Sequence, residues 1–333
     1  MSLSSSQILF FSTLLLGTTL SISSTSWFGA WIGLELNLLS FIPIISSKNN
    51  QYSSEAALKY FLIQALGSSI IIMSASLMLI KTSSANILLC IALLLKAGAA
   101  PFHFWFPSVM EGLQWPQAII LMTIQKIAPL SLLSYMDITF TYHIMLSAII
   151  LSALIGAVGG INQTLLRKIM AYSSINHMAW MLTAMAVSET SWFLYFLFYC
   201  LVASSVALLF NSQEAFHISH LFNHTNTSPE TKLLTFMALL SLGGLPPFTG
   251  FIPKWFIIQE MVSTNLFFIL TILLMSALLT LFYYLRISIT ALMVSAPKVK
   301  WSLKSTSPLL VPSLFLFMNF LGLLTPSLFV MIM

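Results

Sequence analysis

Apolar residues run along this chain in long blocks divided by short polar breaks. A helix needs about 20 apolar residues to cross a hydrocarbon core of roughly 30 Å, and every backbone group in lipid must be paired within its own segment. Read between the polar breaks, the blocks predict spans near 7–24, 27–45, 56–80, 86–106, 116–135, 142–162, 168–187, 191–211, 232–258, 265–294 and 308–332. The longest polar connection, Asn211 to Thr231, is too short to form a domain. The expected fold is an all-α polytopic membrane protein of about eleven transmembrane helices, with residues 1–333 forming a single membrane domain.

Composition supports this reading. Of 333 residues, 58% are hydrophobic and 6% carry Asp, Glu, Lys or Arg, where a soluble domain averages about 25% charged. Thirteen basic and eight acidic side chains cannot cover a water-facing surface. The mean hydropathy of +0.96 agrees. The net charge of +5 is that of a membrane protein with basic loops, so lipid is the expected surroundings and nucleic acid is not an expected partner. Cys90 and Cys200 lie in apolar stretches and are too few for an iron–sulfur cluster or a zinc site; both read as small apolar side chains, and no metal site is expected. Residues Met1 to Ser26 contain no Lys or Arg. The first apolar run is therefore expected to be a mature span, inserted without a presequence if the protein works in an organelle.

The loop charges predict an orientation. Connections after even-numbered spans carry Lys48, Lys59, Arg167, Lys168, Lys232, Lys298, Lys300 and Lys304, with Arg286 close by. The other side offers Lys81 against Asp137, Glu189 and Glu260. By the positive-inside rule the basic side is cytosol or matrix. The N-terminus is then expected inside and the C-terminus outside.

Two spans are interrupted alike. The fourth contains KAGAAPFHFWFP (Lys96 to Pro107) and the ninth GGLPPFTGFIPKW (Gly243 to Trp255). Proline removes a backbone donor and crowds the carbonyl four residues earlier. Pro101 is thus expected to free the carbonyl of Ala97, and Pro246 that of Leu242. Paired interrupted helices five spans apart are a sign of inverted repeats in a transporter. The expected arrangement is two inverted five-helix repeats, approximately 7–135 and 142–294, each with a broken helix, followed by a C-terminal helix at about 308–332. Two ordinary proline kinks are the alternative.

Ionisable side chains at mid-membrane depth are costly. Glu35 falls near the centre of the second span, Lys96 of the fourth, Lys126 of the fifth and His177 of the seventh, while Lys254 lies in the second half of the broken ninth. Each buried charge costs about 2.5–3.5 kcal/mol at a helix centre, so these groups must pair, hydrate or lose charge. Asn37, Gln64, Gln125, Asn162, Ser173, Ser174 and Asn176 fall at similar depth and could hold water between them. A proton relay is one reading; buried salt bridges that only fix helix packing are the other, and Lys254 could instead snorkel to an interface.

WIGLELNLLSFIPI, KAGAAPFHFWFP, QKIAP (Gln125 to Pro129) and GGLPPFTGFIPKW occur in the order in which they occur in the subunit 2 family of NADH:ubiquinone oxidoreductase, respiratory complex I, and the chain resembles that family along essentially its whole length. The short N-terminus is similar to that of the animal mitochondrial form, and the wider pattern to that of an arthropod-like animal. The resemblance implies an antiporter-like core subunit of a proton-translocating enzyme, in the mitochondrial inner membrane, with its N-terminus on the matrix side and its C-terminus on the intermembrane-space side. It implies partners among the other membrane-arm subunits, neighbouring antiporter-like ones included. It implies no cofactor in this chain, with FMN, iron–sulfur clusters and the ubiquinone site in other subunits. By the same resemblance Glu35 modulates Lys96, Lys126 is the connecting relay residue, Lys254 hands protons to the outer side, and His177 belongs to the central hydrophilic axis.

Other signals are weaker. His217, His220 and His224 have ligand-like spacing but read as a solvated loop. Asn223 and Asn226 head formal glycosylation sequons, which only a secretory-route protein would use. Glu55 and Lys59, four apart, should form a local ion pair. Glu111 reads as a loop carboxylate that could guard the mouth of a proton path. Two rival functions share the same features: an autonomous cation/proton antiporter, and a non-conducting scaffold for assembly of the membrane arm.

Overall fold

The computed structural model describes residues 5–46, 50–80, 84–136, 138–223 and 229–293. The predicted C-terminal helix near 308–332, together with Lys48, Lys81, Asp137, His224, Lys298, Lys300 and Lys304, lies outside them. The described residues form fourteen helices in a chain that divides into two compact units at Ser152–Ala153.

The first unit contains α1 (Ser5–Ser23), α2 (Trp27–Ile45), α3 (Gln51–Leu79), α4 (Ser84–Ala97), α5 (Trp105–Gly112), α6 (Trp115–Met122), α7 (Ile124–Ser134) and the start of α8 (Ile138–Ile161). The second contains the end of α8, then α9 (Leu166–Val187), α10 (Glu189–Ser212), the short α11 (Ile218–Asn223), α12 (Pro229–Gly243), α13 (Phe251–Ser263) and α14 (Phe267–Met293). Among the described residues, seven helical stretches are long and apolar enough to cross a membrane, and two shorter apolar helices, 84–97 and 231–243, are the leading halves of interrupted spans. This is a multi-pass membrane architecture. Many large side chains stay exposed on single helix faces, such as Leu16, Leu62, Phe193 and Leu278, as expected where the surrounding solvent is lipid rather than water. The helix α9 differs: 17 of its 22 residues are buried, the mark of a helix packed on all sides within its unit.

The interruptions fall where the sequence places them, but glycine rather than proline makes them. The helix α4 stops at Ala97, before Pro101 can act. Gly98 adopts φ +75°, a left-handed conformation that costs other residues about 1–2 kcal/mol. Its N–H bonds Leu95 O at 3.2 Å, and the Ala99 N–H bonds Leu94 O at 3.1 Å, the paired bonds of a Schellman cap. The second break repeats this geometry. Gly244 has φ +78°; its N–H bonds Ser241 O at 3.0 Å, and the Leu245 N–H reaches Leu240 O at 3.4 Å. Gly98, Pro101, Phe102, Trp105 and Pro107 match Gly244, Pro247, Phe248, Phe251 and Pro253 at a constant spacing of 146 residues. The proline equivalent to Pro101 is therefore Pro247, not Pro246. Each break spans seven residues, 98–104 and 244–250.

The fifth predicted span is also divided, between α6 and α7 at Thr123. The Thr123 hydroxyl bonds Ile119 O at 2.7 Å, and Pro129 inside α7 leaves the Gln125 carbonyl without its helical donor. Lys126 follows directly after this bend.

Candidate functional site

In each unit a buried lysine stands at the carbonyl end of a broken helix. Lys96 occupies the last turn of α4 and is 5% exposed. A Schellman cap leaves the final carbonyls of its helix without backbone donors, and these carry the partial negative charge of the helix C-terminus. Side chains add donors there: Gln64 Nε2 donates to Lys96 O at 3.3 Å, and Trp105 Nε1, at 3.1 Å, shares Leu95 O with the Gly98 N–H. The Lys96 stem lies on Gly67 of α3, where an added Cβ would stand 3.0 Å from Cγ. Any larger residue at Gly67 would have to push the lysine aside.

Around Lys96 the first unit closes a cavity of about 10 Å³, lined by Asn37, Tyr60, Gln64, Gln125 and Lys126 among apolar residues. That is room for about one water molecule. The Tyr60 hydroxyl donates to Gln125 Oε1 at 3.1 Å, and Gln125 Nε2 donates to Asn37 Oδ1 at 2.8 Å. This chain of amides joins α2, α3 and α7. Lys126 is 3% exposed, and its Nζ lies 4.9 Å from the Phe106 ring centre, close enough for the ring face to attract the ammonium. Glu35 is within electrostatic reach of both Lys96 and Tyr60. It forms no ion pair with Lys96 at 4.0 Å or less, and its buried Oε2 has no hydrogen-bond partner. The first unit thus gathers Glu35, Lys96 and Lys126 with the amides expected beside them.

In the second unit the lysine comes from the other side of the break. Lys254 lies on α13 and is 6% exposed, so it does not snorkel. Its Nζ donates to Gly243 O, the last residue of α12, at 2.9 Å. The side chain crosses directly over Gly244, where an added Cβ would meet Cδ at 2.9 Å. Sequence spacing hides this equivalence, because Lys96 precedes its glycine and Lys254 follows by ten residues. The ammonium also lies 5.8 Å from the Trp180 ring centre. His177, 8% exposed, holds Tyr195 Oη at 2.8 Å through Nδ1. It lines a second cavity of about 10 Å³ with Tyr199, Ser241, Gly250 and Pro253.

Not every polar residue read from the sequence joins these clusters. Asn162 lies beyond the end of α8 and is exposed. Asn176 bonds Ala153 O at 3.2 Å, whereas Ser174, besides the carbonyl of Ala171, meets Tyr199 of the His177 cavity, and Ser173, besides that of Met170, meets Tyr284. Glu55 and Lys59 do form their ion pair, on the surface. Among the described residues no group of three or more His, Cys, Asp or Glu is placed to hold a metal ion. Both cysteines are unbridged. Tyr60, Trp180 and Tyr195 went unread because aromatic residues in an apolar run give no signal beyond core packing.

Broken apolar helices with lysines set at their carbonyl ends define a membrane protein of the antiporter-like class. The chain belongs to the NADH:quinone oxidoreductase/Mrp antiporter transmembrane family, whose model matches residues 24–280, and within it to the NADH-ubiquinone oxidoreductase chain 2 proteins. It is 49% identical to that protein of Anopheles gambiae, over 95% of this chain and 94% of the relative. Against that of Locusta migratoria it is 36% identical, over 99% and 98%. A chain of respiratory complex I from Thermus thermophilus superposes with a TM-score of 0.86 at 25% identity, covering 98% of this chain and 80% of the other. A chain of the Mrp complex from Dietzia shares the fold, with a TM-score of 0.77 at 18% identity over 89% and 62%.

Proposed function

We propose that this chain is the antiporter-like, proton-conducting subunit 2 in the membrane arm of NADH:ubiquinone oxidoreductase in the mitochondrial inner membrane. The observation that carries the reading is the recurrence, in each unit, of a buried lysine at the carbonyl end of a Schellman-capped half-helix. Burial in a low-dielectric interior disfavours an ammonium, whereas the carbonyl end of a helix favours it. The two effects oppose each other. A modest change in neighbouring charge therefore decides whether such a lysine keeps its proton.

Glu35 supplies that control at Lys96. Its charge reaches the lysine without a locked ion pair, so it biases the proton without trapping it. A proton released by Lys96 enters a cavity that Lys126 also lines, with room for about one water molecule between them. Lys126 acts as the onward relay, and Lys254 with His177 form the corresponding proton-holding group of the second unit. On this reading residues 7–135 and 142–294 are inverted repeats, with the N-terminus on the matrix side and the C-terminus facing the intermembrane space. Flavin, iron–sulfur clusters and the quinone site belong to other subunits, so the driving event comes from outside this chain.

Reconstitution separates this reading from an autonomous antiporter. The chain alone in liposomes is expected to show no cation/proton exchange, while the assembled enzyme acidifies or alkalinises its vesicles on addition of NADH. Exchange by the isolated chain would support the antiporter instead.

A further inference from the structure

Between His177 and the turn that joins α8 to α9, the second unit packs hydroxyls where Phe and Ala would fill nearly the same space. Ser173, Ser174, Tyr199, Tyr283 and Tyr284 are all buried, and a buried hydroxyl is destabilising unless it is bonded. They meet in pairs across helices. Ser174 of α9 meets Tyr199 of α10, Ser173 meets Tyr284 of α14, and Tyr284 meets Tyr283, their ring centres 4.7 Å apart. Tyr284 is also within electrostatic reach of Tyr199, so the pairs form one cluster. At one end Tyr199 shares the cavity of about 10 Å³ with His177, which has room for about one water molecule; the two ring centres are 5.1 Å apart. At the other end Tyr283 lies against the last turn of α8, where a Cβ added to Gly160 would stand 2.8 Å from Cε1. One turn further along α14, Arg286 holds Ile161 O at 2.6 Å and Gln163 O at 3.1 Å. That clamp ties α14 to the α8–α9 turn, in which Asn162 is exposed. From Arg167, just past the turn, to His177 is about 15 Å along α9, and Ser173 and Ser174 stand between them.

We propose that Tyr283, Tyr284, Ser173, Ser174 and Tyr199 form a hydroxyl relay that carries protons between the α8–α9 turn and His177. This rests on the proton-holding reading of His177 above and adds the route by which that group exchanges its proton with one side of the membrane. A hydroxyl has one hydrogen to give and lone pairs to accept another. At each oxygen an O–H bond forms to the arriving proton as the resident O–H bond breaks toward the next oxygen. Solvent water at the turn loses one proton, a ring nitrogen of His177 gains one across the shared cavity, and no phenolate is left behind. Rotation of each hydroxyl then restores the starting order. Between transfers the Ser173 and Ser174 hydroxyls donate to Met170 O and Ala171 O, each at 2.7 Å. The carboxylates of the neighbouring helices stand at the opposite end of the unit. Glu189 opens α10, and Glu260 of α13 accepts from Ser188 Oγ beside it at 3.1 Å, whereas Tyr199 lies about 15 Å further along α10. A route from the α8–α9 turn to His177 therefore runs through hydroxyls.

Protons moved per NADH oxidised by the assembled enzyme in sealed vesicles test this. Y284F keeps the ring and removes the hydroxyl between Ser173 and Tyr283. It is expected to lower the ratio roughly tenfold or more, as for loss of a proton-transferring group, at unchanged NADH oxidation under uncoupled conditions. Y199F should do the same, and the double variant should fall no further than the worse single one, because both hydroxyls lie on one route. Losses that multiply in the double variant would put the two on separate routes and overturn the relay. Full pumping by Y284F and Y199F would overturn it too, including the case in which they melt earlier but pump normally, the result for hydroxyls that only fix helix packing. H177Q separates the relay from its basis: a matching fall supports both, whereas full pumping by H177Q overturns the reading of His177 itself, a result distinct from failure at the tyrosines. If Y284F does not assemble, S173A takes its place: the same fall supports the relay, and full pumping at normal assembly contradicts it.

Discussion

Replacing Lys126 with methionine keeps the length and flexibility of its stem but removes the ammonium. Because Lys126 is 3% exposed and packs over Phe106, the apolar substitute fits the same space, and assembly should be normal. Pumping should fall roughly tenfold or more, as expected when a group that transfers protons is lost, and vesicle acidification assays with NADH will show it. Tyr60→Phe makes a milder case. It removes the donor to Gln125 Oε1 and should lower thermal stability by about 1 kcal/mol, measured by melting of the detergent-solubilised enzyme. Glu55→Gln, on the surface, should change stability by no more than about 0.5 kcal/mol. At this scale the sequence was informative wherever a side chain was out of place in lipid. Glu35, Lys96, Lys126, Lys254 and His177 all stand out by charge, and all but Glu35 are buried. Tyr195 does not stand out, since its hydrogen bond is to His177, eighteen residues away on another helix.

Breaks in helices are more informative than the helices themselves. Proline drew attention to both interruptions, yet each half-helix ends earlier, at a glycine in the left-handed region. Gly98→Ala and Gly244→Ala should therefore each cost about 1–2 kcal/mol from backbone strain alone. Gly244→Ala has a second effect, because its Cβ would stand 2.9–3.1 Å from the Lys254 side chain and displace the ammonium from Gly243 O. It should depress pumping more than Gly98→Ala at comparable assembly. Comparing the two variants by thermal melting and by proton transfer checks both halves of this expectation. The bend at Thr123 was invisible in the sequence, because Thr and Pro129 are both tolerated within an uninterrupted apolar run.

On the scale of the whole chain, the blocks of apolar sequence located most of the described helices to within a few residues, but the fourth span stopped near 106 and left out most of α5, on which Glu111 lies rather than in a loop, and the short α11 in the Asn211 to Thr231 connection was missed. Lipid makes this possible, since a spanning segment must satisfy its own backbone and so writes its length into composition. What composition does not carry is which side of a break supplies the lysine. Lys96 lies in the last turn of α4 itself, whereas Lys254 lies beyond Gly244 and reaches back to the last carbonyl of α12. The decisive experiment counts protons moved per NADH oxidised by assembled enzyme in sealed vesicles, comparing the wild type with Lys96→Met and Lys254→Met. A sharp fall in that ratio for each variant, with the enzyme intact, is the expected result. Full pumping by both variants would mean that these lysines only brace the broken helices.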